Sequence, residues 1–165
     1  MGKKITSFDE LYFAAVDPNG MISSFISGHL MVEFMLLRLI EISSLSKSRS
    51  AEKLTHYKLI KYANKLELIS DLQTNVLIEV NKFAHNIAYR PTVEELRSLF
   101  ILAKENFNDL TDGIIQGIGE LEGKSSVDDC EPYIFSDLFI QITYDLHEMY
   151  QELGGDIIEF KSVDN

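Results

Sequence analysis

The hydrophobic positions of this chain recur every three or four residues over long stretches, which is the spacing of amphipathic helices. Ser7, Phe8, Asp9 and Glu10 form a capping box that predicts a short helix to about residue 16, followed by a turn at Asp17-Pro18-Asn19-Gly20. A long helix is predicted over residues 21–45. Its Leu30, Met31, Val32, Phe34, Met35, Leu36, Leu37, Leu39 and Ile40 cover nearly the whole circumference. Such a helix belongs at the centre of a domain or in an oligomer interface. The serines of residues 43–50 predict a loop. Thr55 is a candidate cap for a helix to about residue 68, with Leu59, Ile60, Ala63 and Leu66 as its buried stripe. A further helix starts at Asp71 and runs to about residue 88, with Leu72, Val76, Val80, Phe83 and Ile87 facing inward.

Thr92-Val93-Glu94-Glu95 is a second capping box. Behind it Val93, Leu96, Phe100, Ala103, Phe107, Leu110 and Ile114 predict one long helix. Gly113, Gly117 and Gly119 weaken its end or admit a close backbone. Residues 124–131 read as an acidic loop. The last helix, residues 132–153, is buried through Phe135, Leu138, Ile142, Leu146, Met149 and Leu153, with Asp145, Glu148 and Glu152 on its other side. Residues 156–160 are the one candidate for extended chain. The pattern specifies an all-α, single-domain helical bundle of about six helices spanning 1–165.

Composition narrows the class. The chain has 165 residues, 45% hydrophobic and 25% charged, which excludes a disordered acidic chain. One cysteine excludes an internal disulfide and a cysteine-based zinc site. The apolar stretch at residues 21–42 is interrupted by His29, Glu33, Arg38 and Glu41, so no membrane span is expected. The N-terminus does not resemble a secretory leader, and a cytoplasmic protein is expected. The net charge of −11 is unevenly placed. Residues 1–104 carry 13 Lys and Arg against 11 Asp and Glu, while residues 105–165 carry 2 against 15.

Phosphate-binding glycine loops, a Gly-x-Ser-x-Gly elbow, His-Glu-x-x-His and the Glu-x-x-His pairs of di-iron bundles are all missing from the sequence. Three constellations remain. Asn81 and His85 are four apart on one helix face, at the border of the apolar side. Histidine there either caps the core and bonds Asn81, or acts as a general acid or base. His29 and Glu33 are likewise four apart on the most apolar helix. They either satisfy each other locally or join Asn81 and His85 in a polar pocket. Two histidines and a glutamate suit a metal, but the spacing fixes no such geometry, and no metal or cofactor is expected. Finally, Lys53, Lys58, Lys61 and Lys65 belong to a basic run that is either an RNA-contact face or a solvated helix surface.

The stretch Val80-Asn81-Lys82-Phe83-Ala84-His85-Asn86 resembles the Arg-Asn-x-x-x-His motif of the HEPN superfamily (higher eukaryotes and prokaryotes nucleotide-binding), particularly its Arg-Asn-x-Phe-Ala-His form. The resemblance covers roughly residues 19–108. It divides the chain into an N-terminal helix and turn (1–18), a HEPN-like core (19–108) and an acidic C-terminal helical extension (109–165). In ribonuclease members of the superfamily, Arg and His of two protomers meet across a dimer and cleave RNA without metal. Here valine stands at the arginine position, and Lys82 lies two residues further on, facing another way. The resemblance therefore implies a catalytically degenerate homodimer, an interaction or regulatory protein of a prokaryotic stress, toxin–antitoxin or phage-defence system. Its partner would be itself, an antitoxin or regulator protein, RNA or a nucleotide. Binding-pocket candidates are His29, Glu33 and Lys82. Two alternatives stay open. One is a metal-independent endoribonuclease using His85 with Asn81. The other is a transcriptional regulator similar to the mannitol repressor, whose helical fold is related.

Overall fold

A computed structural model describes residues 6–9, 21–85, 91–107, 112–131 and 133–163. Among them the chain forms seven α-helices and no strand: α1 (Met21–Ser43), α2 (Leu45–Ala51), α3 (His56–Lys65), α4 (Asp71–His85), α5 (Val93–Asn106), α6 (Asp112–Leu121) and α7 (Tyr133–Glu152). A short 3-10 turn at Val127–Asp129 precedes α7. The predicted helix over residues 7–16 falls mostly outside the described residues.

The apolar circumference of α1 is consumed inside the domain. Met31, Val32, Met35, Leu36, Leu39 and Ile40 are fully buried, while Leu30 is 58% exposed. The largest share of that covering comes from α7, whose Ile134, Phe135, Leu138, Phe139, Ile142 and Leu146 join the same core. The segment read as an acidic extension thus contains the main partner of the central helix. Position in the charge map and position in the core are separate properties, because one α7 face buries apolar groups while Glu148 and Glu152 stay in water.

Two predicted boundaries shift. The serine-rich stretch is helix α2, not loop. Ser43 Oγ and Ser44 N both donate to the Ile40 carbonyl, ending α1, and Ala51 of α2 is buried in the core. Arg49 in its last turn suits the negative helix end. The single long helix after Thr92 is two. The capping box forms as predicted, with Glu95 N donating to Thr92 Oγ1 at 3.1 Å and Thr92 N to Glu95 Oε2 at 2.7 Å. The helix then stops at Phe107, whose backbone is extended. Gln73 of α4 donates to the Asn106 carbonyl at 3.0 Å, and Gln141 of α7 donates to that of Phe107. Carbonyls that a continuing helix would have paired are met by side-chain amides instead.

That pairing also turns α4. Gln73 and Thr74, not Leu72, are the buried residues of its first turn, and Leu72 is exposed. Asp145, expected on the polar side of α7, is buried and accepts from Gln73 Nε2 at 3.4 Å. α6 returns along α5, and Gly117 lets its backbone lie against the Phe100 ring. At the chain ends, Phe8 N donates to Ile158 O and Phe160 N to Thr6 O. This pairing amounts to isolated bridges, with Asp156 Oδ1 organising the turn by accepting from the Ile158 and Glu159 amides. No helix among the described residues is long and apolar enough to cross a membrane.

Candidate functional site

The buried stripe of α3 begins one turn earlier than its aliphatic residues. Thr55 is extended and sits at the N-cap, its carbonyl accepting from Leu59 N at 2.8 Å, although its side chain makes no capping bond. His56 follows as the first helical residue. It lies three and four residues before Leu59 and Ile60, so its ring shares their inward face. Opposite stands α1, where His29 and Glu33 are one turn apart and project side by side.

The crossing of these helices brings three side chains together. His56 Nδ1 lies 3.1 Å from Glu33 Oε2, and His29 Nε2 lies 3.9 Å from the same oxygen. The two imidazoles are stacked, with centroids 3.5 Å apart and planes 24° from parallel. A carboxylate only accepts, so the shared proton sits on His56 Nδ1, which donates to Glu33. Side-chain exposure grades across the cluster: 3% for His56, 12% for His29 and 36% for Glu33. Glu33 is thus the water-facing member, and the histidines form the inner wall.

The predicted pairing of His29 and Glu33 is therefore present, but as part of a trio that the sequence reading missed. The signal for His56 was available in its register with Leu59, Ile60 and Ala63. Asn81 was expected to join this pocket or bond His85. It is buried, 8% exposed, and its Oδ1 accepts no hydrogen bond among the described residues. α4 ends at His85, whose side chain lies outside the described residues.

Val80, at the arginine position of the motif, is 1% exposed and packed in the core. Lys82 points to solvent, where Glu79 Oε1 accepts from its Nζ at 2.6 Å. With Phe83, Glu94, Ser98, Leu99 and Leu102 it lines a groove of about 740 Å³ between α4 and α5. The floor is apolar, and Leu102 is exposed. Lys53, Lys58, Lys61 and Lys65 are all exposed and form no ion pair among the described residues. The last three lie on α3, opposite its buried face, and Lys61 leans over the Tyr57 ring.

Two other titratable groups lie buried outside this cluster. Cys130 is buried, and desolvation, followed by the charge of Glu120, raises its thiol above the ordinary range. His147 is buried against Phe8, with ring centroids 4.2 Å apart, and Nδ1 accepts from Gln151 Nε2 at 3.0 Å. Desolvation lowers its pKa, partly opposed by Asp9.

Fold and site together define an all-α single-domain bundle with a His–Glu–His cluster at the crossing of its first and third helices. Comparison with known protein families, with curated proteins and with solved structures gives no match for this chain.

Proposed function

We propose that this chain is a HEPN-like interaction or regulatory domain that does not cleave RNA, working as a homodimer or with a partner protein in a prokaryotic stress, toxin–antitoxin or phage-defence system. One observation carries the loss of cleavage: Val80 occupies the arginine position of the motif and is buried in the core. Valine gives a phosphate neither charge nor hydrogen-bond donor, so charge developing on a scissile phosphate has no stabiliser there. Lys82 does not replace it, since its ammonium is turned to solvent and held by Glu79. The apolar groove beside Lys82 and Phe83 supports a protein-binding role.

The test is incubation of single-stranded RNA with the wild-type chain and with His85→Ala, both in EDTA. Intact RNA in both is expected. Cleavage by the wild type that disappears in His85→Ala would overturn the reading in favour of a metal-independent endoribonuclease. Sedimentation at tens of micromolar should show a species of twice the 18.8 kDa chain mass. A monomer alone at that concentration would remove the homodimer.

A further inference from the structure

We propose that His29, Glu33 and His56 bind one divalent transition-metal ion of the zinc class. The donor set is two imidazoles and one carboxylate, which suits such ions and is too nitrogen-rich for calcium or magnesium. The potential ligand atoms of the three residues lie within 4.8 Å of one another. Around a tetrahedral ion with bonds of about 2.0 Å, neighbouring ligand atoms stand roughly 3.3 Å apart. The observed 3.1 Å from His56 Nδ1 to Glu33 Oε2 and 3.9 Å from His29 Nε2 to the same oxygen bracket that edge.

The scaffold favours the ion for a second reason. His29 and Glu33 are set side by side by a single helix, so two ligands are pre-positioned without ordering a loop. His56 arrives from α3 and is held by the buried start of that helix. Binding replaces the proton on His56 Nδ1, which leaves to solvent, by a nitrogen–metal bond. It also asks one ring to turn about its Cβ–Cγ bond. Stacked rings direct their nitrogen lone pairs along nearly parallel lines, and those lines must converge on the ion. The exposed edge of Glu33 leaves a fourth position open to water, as in three-ligand zinc sites. The ion would clamp α1 to α3, and it stands whether or not the chain is HEPN-like.

The chain, stripped of metal by chelator and dialysed, is titrated with Zn²⁺ by calorimetry and with Co²⁺ by visible absorption. One equivalent per chain is expected, with magnesium in excess failing to compete. Glu33→Gln and His56→Gln should each weaken Zn²⁺ at least about ten-fold, the lower bound for losing even an outer-shell partner. Zn²⁺ should raise the melting temperature of the wild type and not of these variants. Ring ¹⁵N shifts of the wild type read the site without any substitution, so the test survives a variant that does not fold. Zn²⁺ should move the His29 and His56 signals and leave His147 in place. No binding, equal binding by both folded variants, or a response confined to His85 or His147 would overturn the site.

Discussion

The ring of Phe139 lies directly over Gly28, where α7 crosses α1, and a methyl group at position 28 would fall inside that ring. Gly28 is a close-approach point of the two helices that pack most extensively against each other. Gly28→Ala must push Phe139 aside or part the helices. Overpacking of this kind costs about 1–3 kcal/mol. Urea unfolding should show the loss as a lower midpoint, with helical circular dichroism of the native state retained.

An arginine introduced at position 80 should fail to confer cleavage. Val80→Arg places a guanidinium in the apolar core, where Val80 is 1% exposed. An unpaired buried charge belongs to the substitutions that cost about 4 kcal/mol or more. The expected outcome is a chain that is largely unfolded or insoluble, with no gain of RNA cleavage. A folded Val80→Arg protein that cuts RNA would place position 80 at an accessible site instead.

His147 makes stability depend on pH. Its folded pKa lies below the ordinary histidine value of about 6.5, chiefly through desolvation. As pH falls past that ordinary value, the unfolded chain takes up a proton that the folded chain refuses. Stability from this group is therefore full above about pH 6.5 and declines as pH drops toward the lowered folded value. Urea midpoints from pH 7.5 down to 5.5 should fall for the wild type. His147→Phe keeps a flat ring against Phe8 and should flatten the slope.

The amide of Gln141 meets the carbonyl at which α5 ends. Gln141→Leu removes that donor from the buried carbonyl, at a cost of about 1–3 kcal/mol. Amide exchange should accelerate at the end of α5, around residues 103–107, more than in the middle of α1. Equal acceleration throughout would show that Gln141 contributes to the whole core and not to that helix end.

The parts of this fold that local chemistry decides were legible in the sequence. The start of α4 at Asp71, the capping box of Thr92 and Glu95, and the apolar face of α7 each depend on neighbours within a few residues. The break at Phe107 was not legible, because the groups that permit it, Gln73 and Gln141, come from other helices. Composition misled at α2, where serines suit a loop but Ala51 gains burial against α1. The site divides the same way. His29 and Glu33 are four residues apart and were visible as a pair, whereas His56 is 23 residues from Glu33 and meets it only through tertiary packing. The basic run was visible as charge. The structure places Lys58, Lys61 and Lys65 on the solvent side of α3, opposite the stripe that the spacing predicts.

The pairing of α1 with α7 has a consequence for how the chain reaches its folded state. These helices are separated by roughly a hundred residues of sequence. During synthesis the apolar α1 leaves the ribosome long before its main covering exists, and closing so long a loop comes late and slowly. For that interval the most water-averse segment of the protein is a target for chaperones or for other nascent copies of itself. Any truncation ahead of α7 would make that passing exposure permanent.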